Sequence, residues 1–375
     1  FNTNNNGLIQ INNDIFTEEE REYLRVNRFW VDDNEDEIAL LEREINHNIQ
    51  KRQKELELTI ALTNYCNFSC VYCYQNKNEK LMTTEVANMI IEKIDRILND
   101  NIFEGINIHY FGGEPLLNIP VLVYLDENIK KITDKIGIVY KAFLTTNGSM
   151  LSKELLQKVK FSSIQLTFDG LEKTHDRLRV SDHFHFKEEI ELIENIMNFS
   201  QAKVLLRTNI CKENKDEIIA LHKYIFEKFG NERIEINPNR TIKYHQDDSF
   251  EMLSVQEYAE VAYQIKLLWS EQKGKFELPV PRSTPCKFPY GNAYAISPEG
   301  YCTFCSGSMD QEKKYFFDVD IENKKMFSVR KECKKCNILP LCLGGCIIQY
   351  NLRAGACTYE KYELKNILIS YIKHI

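Results

Sequence analysis

The feature that most constrains this chain is a strand–helix rhythm that begins at residue 55. Leu56-Glu57-Leu58-Thr59-Ile60-Ala61-Leu62 alternates as a strand should. Thr83 or Thr84 can cap a helix running to about residue 98, with Val86, Met89, Ile90, Ile94 and Ile97 on one face. Further strands are expected at 106–111, 138–145, 163–168, 203–209 and 233–237, with helical patterns near 152–159, 187–199 and 215–229. Strands and helices in this alternation imply a parallel sheet, curled into a partial barrel or open and doubly wound. In either case function belongs in the loops after the carboxyl ends of the strands.

The flanks read differently. Residues 1–54 form a small module: a short apolar segment at 7–11, an acidic helix at 17–26 and a strongly charged helix at 35–53. A helix at 255–272 bridges to a stretch, 279–362, that is rich in proline and glycine and poor in long periodic segments. That stretch is expected to be a loop-rich module held together by metal, and a final helix at 359–372 closes the chain. The expected domains are therefore 1–54, 55–278 and 279–375. The first residue is Phe1 and not Met, so the biological chain is expected to begin upstream.

Charge excludes some functions. The net charge of −7 offers no cationic field for nucleic acid. No run of apolar residues reaches membrane-spanning length, and no signal-peptide pattern opens the sequence. A cytoplasmic protein with no nucleic-acid or membrane partner is the expectation.

Twelve cysteines then narrow the chemistry, because three cluster at 66–73, eight lie between 286 and 357, and Cys211 stands alone. Clusters at short fixed spacings suit metal or cluster ligation better than disulfides. Cys66-x3-Cys70-x2-Cys73 follows the first expected strand directly. Three thiolates on one loop can hold three irons of a cubane and leave the fourth open, and an open metal position is where substrate chemistry happens. With no histidine nearby, the same three would make a poor closed zinc site. Near the other end, Cys333, Cys336, Cys342, Cys346 and Cys357 follow Cys286, Cys302 and Cys305. Eight soft ligands suffice for two metal centres, and paired loop cysteines are also what zinc ribbons use. Cys211, just after the fifth strand, is expected to be a buried small apolar residue.

The spacing of Cys66, Cys70 and Cys73, with Tyr72 before the last, resembles the radical S-adenosylmethionine (SAM) superfamily. That resemblance implies a partial (β/α)6 barrel and a [4Fe–4S] cluster whose open iron chelates SAM. One electron would break the sulfonium C–S bond and release a 5′-deoxyadenosyl radical that abstracts hydrogen from substrate. Gly112-Gly113-Glu114-Pro115 after the second strand matches the family's loop at the methionine amino group. There glycine permits close backbone approach and Glu114 offers an anionic acceptor. The segment 163–170, with Thr167 and Asp169, resembles the family's fourth-strand segment, and His175-Asp176 and Arg179 resemble its His-Asp-x-x-Arg. Asn147, Arg207 and Asn209 are further expected SAM contacts, and Tyr72 is expected to stack on adenine.

The order of the C-terminal cysteines resembles the SPASM domain, an auxiliary-cluster extension of certain radical SAM enzymes. It implies two further [4Fe–4S] clusters, three in all. Cys333, Cys336, Cys342 and Cys357 would bind the distal one, and Cys286, Cys305 and Cys346 the proximal one. Cys302 is the fourth proximal ligand, or else that cluster has an open iron. SPASM enzymes mostly modify peptides, and the opening of this chain resembles maturases of ribosomally made peptides, whose leader-recognition element precedes the barrel. The expected activity is a thioether, C–C or similar cross-link on a precursor peptide, with a flavodoxin- or ferredoxin-type reductant. A formylglycine-forming sulfatase maturase is the alternative, but Ser306 stands where those enzymes carry an aspartate base.

Overall fold

A computed structural model describes residues 2–3, 7, 16–27, 29–31, 34–230, 233–243, 250–303, 305–308, 314–319, 326–346 and 357–374. Of the apolar segment expected at 7–11, all but Gly7 lies outside the described residues. The chain divides into two compact units, one of residues 52–253 and 291–324 and one of residues 1–51, 254–290 and 325–375.

In chain order the elements begin with α1 (Glu18–Val26), α2 (Glu37–Arg52), β1 (Glu55–Ala61), α3 (Thr84–Asp100) and β2 (Gly105–Phe111). Next come α4 (Ile119–Ile136), β3 (Val139–Thr145), α5 (Lys153–Lys158), β4 (Phe161–Thr167), α6 (Glu172–Leu178) and α7 (Phe186–Phe199). Then follow β5 (Lys203–Ile210), α8 (Ile218–Phe229), β6 (Ile234–Arg240), α9 (Val255–Lys273) and α10 (Lys287–Tyr290). The last are β7 (Asn292–Ile296), β8 (Tyr301–Thr303), β9 (Lys314–Tyr315), α11 (Leu339–Cys342) and α12 (Glu360–His374).

The first unit is built on a nine-stranded sheet ordered β6-β5-β4-β3-β2-β1-β7-β8-β9. Strands β1 to β6 are parallel and adjacent in sequence order. From β1 to β6 each strand lies beside its predecessor with no reversal, the winding of a partial (β/α)6 barrel, and the order turns back only where β7 joins the other side of β1. The helices form for the reasons the sequence suggests. Thr83 Oγ1 accepts from the Val86 amide to cap α3, whose Ala87, Ile90, Ile94, Ile97 and Leu98 are buried.

Two elements were not legible. Helix α4 runs for 18 residues between β2 and β3, where only the Gly112–Pro115 loop was expected. Pro120 sits in the first turn, where its missing amide costs nothing. Strand β7 was hidden in the stretch assigned to a loop-rich domain, because all five of its residues are buried and no alternation marks it. It pairs in parallel with β1, from Leu56 opposite Asn292 to Ile60 opposite Ile296. Strands β7, β8 and β9, which lie within the stretch expected to be loop-rich, extend the barrel sheet.

The second unit has its own core. Ile45 and Ile49 of α2 pack with Phe327, Val329, Leu339 and Leu343, and Cys333 and Cys336 lie against this cluster. Asn46 pairs with the backbone of Phe327 in both directions, at 2.9 and 2.7 Å. Helices α9 and α12 are joined by Lys266 to Glu363 at 2.6 Å and by Tyr263 to Ser370 at 2.5 Å. Ile45 and Ile49 of α2 thus share one compact unit with the cysteines at 333–346. No helix among the described residues is long and apolar enough to cross a membrane.

Candidate active site

The three-cysteine loop leaves the carboxyl end of β1 and is clamped by backbone on one side. Ser69 N donates to Val180 O at 2.8 Å and Val71 N to Leu178 O at 3.0 Å, so Cys70 is held opposite Arg179. Cys73 N closes a turn on Cys70 O at 3.1 Å. All three thiols are half-buried. The Phe68 amide donates to Cys66 Sγ at 3.4 Å and Asn147 Nδ2 approaches it at 3.8 Å. Burial raises the Cys66 thiol, and Glu114 and Cys73 add to the rise. Burial pushes Cys70 up to about 11, helped by Cys73, Asp169 and Cys66 and opposed by Arg179.

The thiols thus feel one another, yet among the described residues no group of three His, Cys, Asp or Glu side chains converges on a single metal ion. Thiolates around one tetrahedral ion sit about 3.8 Å apart, given Zn–S bonds near 2.3 Å. A cubane is a larger body, with each thiolate on a different iron. Three soft thiols with N–H donors directed at one of them, and no imidazole among them, suit a cluster and not a lone zinc.

The Gly112–Pro115 loop serves the cysteine loop first. A Cβ on Gly112, whose φ is +138°, would lie 2.3 Å from Thr63 O, and one on Gly113 would lie 2.2 Å from Tyr65 O. The close approach that requires glycine here is to the backbone after β1. Gly113 N donates to Thr63 O at 2.8 Å and Glu114 N to Tyr65 O at 2.9 Å. Glu114 is fully buried. Its Oε1 accepts from Leu116 N at 2.9 Å and Thr146 Oγ1 at 2.6 Å, and its Oε2 from Asn147 N at 2.7 Å. Burial raises its pKa against the pull of these bonds. The carboxylate expected to receive an ammonium group therefore has three internal donors, and Pro115 opens the short turn that presents one of them.

The residues expected from the fourth and fifth strands are brought together. Asp169, fully buried, accepts from the Tyr72 hydroxyl and from Asn209 N at 2.7 Å. Asn214 Nδ2 ties the Asp169 and Asn209 carbonyls, at 2.8 Å each. Arg207 Nε donates to Asn209 Oδ1 at 2.8 Å, and Thr167 is buried at the end of β4. Tyr72, expected to stack on adenine, packs edge-on against Phe250 with ring centroids 6.4 Å apart. Asn147 Nδ2 donates to Asn67 Oδ1 at 2.8 Å. Cys211 is fully buried, and burial pushes its thiol up to about 12.

One set of residues escaped the sequence reading. His109 on β2, Thr145 on β3, Gln165 on β4 and Asn237 on β6 are polar and half-buried. They join across the sheet: His109 Nε2 to Thr145 Oγ1 at 2.8 Å, Gln165 Nε2 to Thr145 Oγ1 at 3.3 Å, and Asn237 Nδ2 to Gln165 Oε1 at 3.2 Å. Strands of a parallel sheet buried on both faces are near-continuous apolar runs. The signal was therefore present in Asn107-x-His109, Arg207-x-Asn209 and Asn237-x-Asn239. This sheet face suits a polar substrate.

The C-terminal cysteines are distributed over both units. Cys302 and Cys305 belong with the barrel sheet, and Cys286, Cys333, Cys336, Cys342, Cys346 and Cys357 with the second unit. Cys302 is buried on β8. Cys336 N donates to Cys333 O at 3.0 Å, and Gly345 N to Cys342 O at 2.8 Å. Leu343, Gly344 and Gly345 all have positive φ, which turns the chain sharply between Cys342 and Cys346. A Cβ on Gly345 would lie 2.3 Å from Thr358 Cγ2, so the residue after Cys357 packs into that turn. Burial raises the Cys342 thiol, Cys336 adds to the rise, and the Gly344 amide and Thr358 hydroxyl oppose it. Cys336, Cys342 and the Cys357 segment thus share one neighbourhood.

Sequential parallel strands with a three-thiol loop after the first define a class, and the Radical SAM superfamily model matches residues 60–225. Those residues are a radical SAM domain. TigE of Paramaledivibacter caminithermalis, a radical SAM cyclopropyl synthase, is 24% identical over 372 residues, covering 87% of this chain and 76% of the relative. Other curated relatives are matched over about half of their length or less, 39% and 50% in two cases. The fold is similar to that of anSMEcpe solved with bound AdoMet and Cp18Cys peptide, with TM-score 0.67, 18% identity, and 85% and 99% of the two chains covered. It is also similar to Streptococcus suis SuiB bound to the precursor peptide SuiA, with TM-score 0.59, 16% identity, and 90% and 85% covered.

Proposed function

We propose that this chain is a radical SAM maturase that installs a thioether, C–C or similar cross-link in a ribosomally made precursor peptide. The observation that carries the reading is the three-thiol loop at the carboxyl end of β1, clamped by backbone bonds to residues 178–180. Cys66, Cys70 and Cys73 would hold a [4Fe–4S] cluster. When bound, the cluster and SAM supply hydrogen-atom abstraction by a 5′-deoxyadenosyl radical. The chain's own groups orient and shield. Glu114 fixes the loops after β2 and β3 against the cysteine loop. Gly112, Gly113, Asn147, Thr167, Arg207 and Asn209 form the strand-end surface on which SAM would lie. The polar face through His109, Thr145, Gln165 and Asn237 would receive the peptide.

Cys333, Cys336, Cys342 and Cys357 would bind a distal auxiliary cluster, and Cys286, Cys305 and Cys346 a proximal one, completed by Cys302 or left open. The peptides bound to anSMEcpe and to SuiB support a peptide substrate. Residues 1–54 would contribute to leader recognition, and a flavodoxin- or ferredoxin-type protein would supply electrons in the cytoplasm.

The test is anaerobic reconstitution. Three cubanes require roughly twelve iron atoms per chain, and the reduced protein should convert SAM to 5′-deoxyadenosine and methionine. Mass spectrometry of a precursor peptide encoded beside the gene should then show loss of hydrogen at the cross-link. Absence of SAM cleavage by fully iron-loaded protein would sink the reading. Oxidation of a sulfatase-derived Ser or Cys peptide, with no precursor accepted, would transfer the assignment to a formylglycine-forming maturase.

A further inference from the structure

Arg179 is expected to contact SAM, and its surroundings point to a further task. It is buried, at 6% exposure, and its guanidinium carbon lies 5.4 Å from the centre of the Phe68 ring. Its Nε has no hydrogen-bond partner among the described residues. The two backbone bonds from Ser69 and Val71 to Val180 and Leu178 hold Arg179 in register with Cys70. Arg179 N also donates to His175 O at 2.8 Å, so the residue is fixed at the end of α6. A buried cation is thus clamped beside the central cysteine of the loop.

The charges around it come from every neighbouring element. Cys70 and Tyr72 act on it electrostatically from the cysteine loop, Glu189 from α7 and Asp169 from the turn after β4. Glu189 is fully buried, and its Oε2 lies 3.2 Å from His175 Nε2. Neither Glu189 oxygen has another hydrogen-bond partner among the described residues. Burial works against the Arg179 charge, but these neighbours outweigh it and hold the pKa well above the usual range. Arginine keeps its charge across the working pH range, and the fully buried Glu189 carboxyl is among the groups that act on it.

We propose that Arg179 is a positioning residue that sets the reduction potential of the cluster held by Cys66, Cys70 and Cys73, with Glu189 as its counterweight. The inference rests on the cluster assignment made above. Reduction adds one electron, and so one negative charge, to the thiolate-bound iron. A desolvated cation beside a ligand sulfur stabilises that added charge, because charges act strongly on one another where water is excluded. Removing the cation makes reduction harder, and neutralising its anionic partner makes reduction easier.

The test uses the full-length reconstituted protein with dithionite-mediated redox titration, following the EPR signal that SAM perturbs. Arg179→Gln should lower the one-electron equilibrium constant for reduction at least tenfold, a shift of about 59 mV to more negative potential. Arg179→Lys should stay near the wild type, and Glu189→Gln should move to more positive potential. A merely structural role predicts loss of iron without opposite shifts. An Arg179→Gln protein with full iron at the wild-type potential overturns the proposal, as does a Glu189→Gln potential that is unchanged or lowered. Where Arg179→Gln fails to assemble, the sign of the Glu189→Gln shift decides. A wild-type protein that binds iron but shows no SAM-perturbed signal would instead refute the radical SAM reading itself.

Discussion

Glu114→Gln exposes what the Gly112–Pro115 loop does before any ligand arrives. The wild-type carboxylate accepts three hydrogen bonds, from Leu116 N and Thr146 Oγ1 on one oxygen and Asn147 N on the other. A glutamine keeps one oxygen and replaces the other by an NH2 group. Whichever way it lies, one backbone N–H faces a donor instead of an acceptor. A buried group left unpaired costs about 1–3 kcal/mol, and exchanging bonds to a charged acceptor for neutral ones loses roughly a further 1 kcal/mol each. Release of the desolvation penalty on the carboxylate returns part of this. The net cost is about 2–4 kcal/mol, felt locally, because the bonds tie the turn after β2 to the start of the loop after β3. Native-state hydrogen exchange by mass spectrometry on metal-free protein should show the Leu116 and Asn147 amides exchanging about 30- to 900-fold faster. Unchanged protection at both amides would refute the reasoning, and would leave Glu114 free to act on a ligand alone.

Other substitutions test the remaining contacts. Gly113→Ala places a Cβ 2.2 Å from Tyr65 O and should strip iron from the Cys66 loop, measured as iron per chain after reconstitution. Gly137→Ala meets nothing within 4 Å and bears only the penalty of its φ of +84°, about 1–2 kcal/mol, so its iron content should match the wild type. His222 is fully buried against Thr208 Oγ1, and burial lowers its pKa to about 3. Because the folded state then binds fewer protons than the unfolded one below pH about 6.5, stability falls as pH drops, by about 2 kcal/mol at pH 5. His222→Gln should flatten that acid limb in denaturant titrations at pH 7 and pH 5. Removing iron with chelator and oxidant should raise hydrogen exchange across 331–346 while leaving β1 to β6 protected, since the first segment has a small apolar core and the second a full sheet.

The sequence carried the parts of this protein that are local in the chain. Helix caps such as Thr83, the period of the apolar residues on α3, and the spacing of Cys66, Cys70 and Cys73 depend on neighbours within a few residues. Such features survive in a string of letters because side-chain direction repeats with the backbone. The radical SAM domain was legible for that reason. Helix α4 was lost because proline reads alike at a helix start and in a loop, and the difference lies in one missing hydrogen bond.

Tertiary structure decided the partners. Nothing in Gly112-Gly113 says that the backbone they must admit is that of Thr63 and Tyr65, fifty residues earlier. Nor does Arg179 announce Cys70 as its neighbour, since the two meet only through the pairing of 69–71 with 178–180. Strand β7 joins β1 from a stretch more than two hundred residues away. The sequence by itself determined which atoms can bind iron and which segments coil or extend, because those follow from residue type and period. Only the folded chain decided which buried charge sits beside which sulfur. Electrostatic influence falls with distance through space and takes no account of distance along the chain.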